Sequence, residues 1–155
     1  MKLTDHLTIK NIKIGIDAEG KSGIIKDLLK TASRVSPDLD IDEALKGILR
    51  REEIGSTGIG RGVAIPHAGL KNCRKILPIL AISKTGLEYD SLDGKPVRIF
   101  FLILYPEDQI NTQLKFLARV SRLLRNEDLR VSLEKCSTPD DVMGILGKYE
   151  SEHFS

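Results

Sequence analysis

The chain has 155 residues, of which 41% are hydrophobic and 30% charged, and its formal net charge is +2. That length supports one domain, spanning 1–155, with a full hydrophobic core and no need of metals or disulfides. The charge balance lacks the one-sided basic excess of a nucleic-acid binder, and the longest apolar runs, at 76–82 and 99–105, fall far short of the ~20 residues that cross a bilayer. Residues 8–16 (TIKNIKIGI) alternate polar and apolar side chains around Ile9, Ile12, Ile14 and Ile16, which predicts a strand with one wet face. From Gly20 to Val35, residues Ile24, Ile25, Leu28, Leu29 and Ala32 recur at helical spacing, and Pro37 closes the helix. Asp40 followed by Glu43 opens a second helix in a capping-box pattern; its apolar face is Ile41, Ala44, Leu45, Ile48 and Leu49, and it runs out near Arg51.

Residues 76–84 and 97–105 then read as strands, the second apolar almost throughout, as in a strand covered on both faces. Pro78 predicts that the first of these lies at an edge or carries a bulge. Asp93-Gly94 is the expected tight turn between them. A helix over 109–125 follows, with Leu114, Leu117, Val120, Leu123 and Leu124 expected inward, and then short helices at 127–135 and 138–149, the last opened by Thr138 and Pro139. The predicted fold is α/β, a three-layer α/β/α sandwich around a mixed β-sheet in a single domain. Cys73 and Cys136 are isolated in sequence and read as reduced, structural thiols. The N-terminal residues carry no apolar signal core, so a cytoplasmic protein without membrane insertion is expected.

Two stretches carry chemistry. Residues 15–22 (GIDAEGKS) match the phosphate-loop pattern G-x-x-x-x-G-K-[ST] between a predicted strand and a predicted helix. Asp17 and Glu19 argue against it, because they put carboxylates where triphosphate oxygens belong and like charges repel strongly at close range. No apolar strand ends in an aspartate placed to hold magnesium either, so a P-loop NTPase acting through Gly15–Ser22 is the remote alternative.

Residues 51–67 (REEIGSTGIGRGVAIPH) hold four glycines, two hydroxyls, an arginine at the start and Pro66-His67 at the end. Glycines let backbone amides turn towards one point, where successive N–H groups attract an anion. His67, neutral over much of the physiological range, is a competent phosphoryl acceptor. Arg51 and the Ser56, Thr57, Gly58, Ile59 and Gly60 amides and hydroxyls are the candidate phosphate ligands, and Glu52 is placed to orient Arg51 by a salt bridge. No metal or cofactor is expected when the donor is itself a phosphohistidine. The basic positions Lys115, Arg119 and Arg122 read as a solvated helix face, and His6 and His153 receive no role.

The run Arg51-Glu52, Gly55-Ser56-Thr57-Gly58-Ile59-Gly60, Gly62-x-Ala64-Ile65-Pro66-His67 resembles the active-site signature of the enzyme IIA family of the bacterial phosphotransferase system, fructose/mannitol type, including its nitrogen-regulatory members. The resemblance covers nearly the whole chain. It implies an α/β sandwich in which His67 accepts a phosphoryl group from the phosphocarrier HPr, or its nitrogen-branch counterpart, and passes it to an enzyme IIB (EIIB) or acts as a phosphorylation-dependent regulator. It also implies that Arg51 helps bind the phosphoryl group. The family often has a second histidine where this chain reads Gln113-Leu114-Lys115-Phe116-Leu117; Gln113 can donate an amide hydrogen bond but cannot carry charge or shuttle a proton. Because the chain reads as a lone domain, the nitrogen-regulatory branch is expected over sugar uptake. A regulatory binding module without onward transfer is the alternative.

Overall fold

A computed structural model of the chain describes residues 2–154; the ends of the expected 1–155 span, Met1 and Ser155, lie outside the described residues. The sheet is built from β1 (Ile12–Ile14), β2 (Gly58–Gly60), β3 (Val63–Ala64), β4 (His67–Leu70), β5 (Leu77–Leu87) and β6 (Val97–Pro106). Its order is β1-β5-β6-β3-β2, with β4 also against β6. Pairing is antiparallel for β5–β6 and β2–β3 and parallel for the rest, so the sheet is mixed. Helices α1 (Gly20–Val35) and α2 (Ile41–Ile54) cover one face, while α3 (Ile110–Leu124), α4 (Glu127–Glu134) and α5 (Pro139–His153) cover the other. The predicted three-layer α/β/α sandwich is the fold. β6 shows why its sequence is apolar throughout: Ile99, Phe101 and Ile103 face α3–α5, and Phe100, Leu102 and Leu104 face α1–α2.

Five expectations need correction. The strand read over 8–16 shrinks to Ile12–Ile14, because Ile9–Asn11 forms a 3₁₀ turn. There Asn11 Oδ1 accepts from the Thr8 N–H at 3.0 Å and from its hydroxyl at 2.9 Å, a local bonding scheme that competes with the sheet ladder.

Of the two readings for the strand holding Pro78, the edge is not found, since β5 lies between β1 and β6, while β5 does carry an irregularity, a register shift between Ile82 and Leu87 at some distance from Pro78. Pro78 pairs with Ile103, whose N–H points the other way, to the Pro66 carbonyl. Pro78 therefore sits in a non-hydrogen-bonded pair, its nitrogen on the side where β1 begins only opposite Leu80. The Asn11 side-chain amide donates to the Pro78 carbonyl at 2.8 Å and fills that gap.

Helix α3 is rotated from the predicted face, burying Gln113 and Phe116 with Val120, Leu123 and Leu124, and leaving Leu114 exposed. Arg119 does not lie on a solvated face: its Nε is 2.9 Å from Glu150 Oε2, and the same buried carboxylate accepts the Leu3 and Thr4 N–H groups at 2.7 and 3.0 Å. That contact ties the N-terminal segment to α5, which runs on to His153 rather than stopping at 149. The predicted helix starts hold: Asp40 Oδ1 accepts from the Glu43 N–H at 3.1 Å, and Thr138 Oγ1 from the Asp141 N–H at 3.2 Å. Among the described residues no helix is long and apolar enough to cross a membrane.

Candidate functional site

β3 and β4 are two pieces of one line along β6, with the same register offset on either side of the Ile65-Pro66 break (Val63 opposite Ile99, His67 opposite Ile103). Ile65 turns its N–H to the Thr57 carbonyl at 2.9 Å, and Pro66 has none to give. His67 follows this break as the first residue of β4. By strand parity it shares the sheet face of Ile65 and Ile103, the face covered by α3.

His67 Nδ1 lies 2.9 Å from the Ile65 carbonyl oxygen. A carbonyl only accepts, so Nδ1 carries the hydrogen and Nε2 keeps its lone pair. Burial pushes the His67 pKa below its usual value; the Ile65 carbonyl opposes that shift, the Arg51 charge adds to it and Glu52 opposes it. The half-buried ring is thus a neutral imidazole with one defined nucleophilic nitrogen.

Arg51 sits in the last turn of α2, as expected, and donates from Nη1 to the Gly55 carbonyl at 2.9 Å. That bond holds the guanidinium over the helix end, and four of its five N–H donors remain for other partners.

The glycine loop differs from an open anion nest. Thr57 gives both its donors to Glu52, the N–H to Oε1 at 3.1 Å and the hydroxyl to Oε2. The Gly58 N–H donates to Ser56 Oγ at 3.1 Å. Gly58–Gly60 is strand β2, and Gly60, Arg61 and Gly62 all have positive φ (+95°, +58°, +76°) in its hairpin turn to β3. Gly58 is required by packing, since a Cβ there would lie 2.8 Å from Ser91 Cα. Of the five residues read as phosphate ligands, Thr57 and Gly58 have their amides committed within the protein. Ser56 keeps its hydroxyl hydrogen, and Ile59 is exposed on β2.

Glu52 does not pair with Arg51. It is buried and meets Lys21 instead, at 2.9 Å between Oε1 and Nζ. Lys21, the lysine of the phosphate-loop pattern, also lies 3.5 Å from Ser56 Oγ, 3.8 Å from Asp90 Oδ2 and 5.1 Å from the Tyr89 ring centre. Tyr89 is fully buried with its hydroxyl 3.3 Å from Thr57 Oγ1, and burial keeps the phenol protonated by pushing its pKa up. Lys21, Glu52, Thr57 and Tyr89 form a polar floor under the loop. Lys21 of the 15–22 pattern is paired with Glu52 in the fold; nothing in the sequence around Tyr89 marks that residue. Gln113 lies buried in the first turns of α3, and its side chain makes no hydrogen bond among the described residues.

Residues 5–149 match the family described as "Phosphoenolpyruvate-dependent sugar phosphotransferase system, EIIA 2". The chain is 36% identical over 152 residues to the "PTS system fructose-specific EIIABC component" of Bacillus subtilis, covering 97% of this chain and 24% of that longer protein. Among solved structures, "Nitrogen Regulatory Protein IIA-Ntr" from Neisseria meningitidis superposes with a TM-score of 0.85 at 26% identity, over 93% of this chain and 98% of that one. The fold is shared as well, at a TM-score of 0.75 and 17% identity over 92% of this chain and 97% of the other, with enzyme IIAMTL from Escherichia coli in its complex with phosphorylated enzyme IIBMTL. The chain belongs to the EIIA type-2 family of the phosphoenolpyruvate-dependent sugar phosphotransferase system.

Proposed function

We propose that this chain, as one EIIA unit over 1–155, is a cytoplasmic phosphocarrier that accepts a phosphoryl group on Nε2 of His67 from an HPr-like protein and passes it to an EIIB partner. The observation that carries the reading is the 2.9 Å contact of His67 Nδ1 with the Ile65 carbonyl, which leaves Nε2 as the nitrogen with a lone pair. As the new N–P bond forms at Nε2, the donor's own N–P bond breaks and its imidazole leaves with the electron pair. His67 keeps its Nδ1 hydrogen throughout, and the Ile65 carbonyl stabilises the charge the ring acquires. Arg51 and the Ser56 hydroxyl answer the charge on the equatorial oxygens.

Protein partners fit the surface. Of the eight large exposed apolar side chains among the described residues, six (Ile41, Ile54, Ile59, Leu92, Ile110 and Leu114) lie on the site-bearing elements or on the loop bonded to Gly58, Ile41 at the far end of α2.

A second reading, a phosphorylation-dependent regulator, is favoured by Gln113, an uncharged side chain where the family often has a histidine. The nitrogen branch gains no preference from identity, which is 36% to the fructose-specific relative and 26% to the nitrogen regulatory structure. Incubation with phosphoenolpyruvate, enzyme I and HPr tests the site: one acid-labile phosphoryl group is gained, and none in His67→Ala. Label retained by that variant overturns the assignment. Discharge of the phosphoprotein by an EIIB domain separates carrier from regulator.

A further inference from the structure

At the end of α2 and β4 away from Arg51 and His67 lies a cavity of about 340 Å³. α2 starts at this cavity and ends at Arg51, while β4 starts at His67 and ends here at Leu70. Its floor is apolar: Val35, Leu39, Leu70 and Leu77 continue the core between the sheet and α1–α2. One side, from the α1–α2 connection and the first turn of α2, carries Asp38 and Glu43. The other, from the β4–β5 connection, carries Arg74 and Lys75.

The two sides are oppositely charged, yet no ion pair among the described residues joins them. Glu43 is half-buried and uses Oε1 to accept the Lys71 N–H at 3.0 Å, leaving Oε2 without a partner among the described residues. Surface charges of opposite sign that frame an apolar floor, without closing on one another, complement a molecule that carries both charges on an apolar body. The volume is that of a small-molecule site.

We propose that this cavity binds a small zwitterion with an apolar body, of amino-acid to dipeptide size. Its ammonium is held by Glu43 and Asp38, its carboxylate by Arg74 and Lys75, and its side chain rests on Leu70 and Leu77. The proposal is independent of the role of His67.

Amide chemical shifts of the full chain, titrated with L-leucine and with L-leucyl-L-leucine, test it. Binding of at least one zwitterion moves resonances in 35–43 and 70–77, and the stronger of the two fixes the charge separation the site takes. Isocaproate and isoamylamine, which each lack one charge, bind about tenfold more weakly or worse, as loss of a charged hydrogen bond requires. The double variant Arg74→Gln/Lys75→Gln, whose side chains are exposed and make no hydrogen bond or ion pair among the described residues, folds normally and weakens the zwitterion to the level of the amine. The double variant Asp38→Asn/Glu43→Gln weakens it to that of the carboxylate. No localised shifts with either zwitterion, or equal binding of the singly charged analogues, overturns the proposal.

Discussion

Residues 15–22 and 51–67 both put glycines, a hydroxyl and a cation around a turn, and they meet in space, but the two turns are built differently. In the first, Gly15 and Gly20 take positive φ on either side of exposed Asp17 and Glu19. The Gly15 and Ile16 N–H groups both donate to the Ile82 carbonyl, at 2.8 and 3.1 Å. Those amides tie the chain to β5 and are not free to meet a phosphate. In the second, the chain runs from a helix end into a hairpin, and the break at Ile65-Pro66 sets a histidine against a carbonyl. Lys21 of the first region then serves the second, as the counter-ion of Glu52. Glycines mark where a backbone bends; the charges beside them decide what the bend can hold.

The largest effect separating the two regions is on phosphoryl transfer. Arg51→Ala is expected to slow phosphorylation of His67 by about 10²–10³-fold, as loss of a donor to developing charge does. Its fold stability changes little, since the side chain's one hydrogen bond among the described residues is a partly exposed cap on Gly55. The rate of acid-labile phosphoryl uptake measures this; a wild-type rate in Arg51→Ala would remove Arg51 from the site.

Lys21→Met tests the link between the regions. It leaves the Glu52 carboxylate buried beside Thr57 without its cation, which costs about 3 kcal/mol in denaturant unfolding. Glu52→Gln in the same chain removes the stranded charge and recovers part of that loss. A nucleotide loop predicts something else: Lys21→Met would be neutral for folding and abolish Mg-ATP binding. That pair of results would reverse the assignment of residues 15–22.

The layers, the helix starts at Asp40 and Thr138 and the double burial of β6 were all legible, because each follows from periodicity or a local cap within a few residues. His67 and Arg51 stood out for a related reason: glycines, hydroxyls and charges were dense over seventeen neighbouring positions. Illegible were pairings between distant segments. The Lys21–Glu52 and Arg119–Glu150 bonds each join residues 31 apart in sequence, and the hidden interior position of β5 depends on where β1 starts. The face of α3 was misread because Gln113 is buried and Leu114 exposed, a reversal of hydropathy at an element carrying the candidate site.

The glycines of 51–67 grade the comparison further. Gly58→Ala pushes a methyl group towards Ser91 Cα and should destabilise by about 1–3 kcal/mol. Gly55 has φ of 166°, extended backbone open to any residue, with nothing within 4 Å of a built Cβ. Gly55→Ala is therefore expected to change stability by no more than about 0.5 kcal/mol. Equal losses at both positions in urea unfolding would mean that the loop needs glycine for a reason other than the Ser91 contact.

The smallest effect is in pH. Burial lowers the His67 pKa in the folded chain below the value of a free imidazole, about 6.5. Above that pH the ring is neutral both folded and unfolded, and His67 contributes no pH dependence. As pH falls through 6.5 the unfolded chain takes up a proton that the folded chain still refuses, so stability declines until the folded pKa is reached and then levels off. His67→Gln should remove that decline from the difference between unfolding curves at neutral and mildly acid pH. The same depression keeps Nε2 unprotonated below pH 6.5, so phosphoryl uptake by the wild type should hold its rate there and fall only at the lower folded pKa. Lys21→Met uncovers the Glu52 charge, which draws the His67 pKa upward, and should move that fall to higher pH. A pH profile unmoved by Lys21→Met would show that the floor beneath the loop holds its shape without setting the charge felt by the histidine.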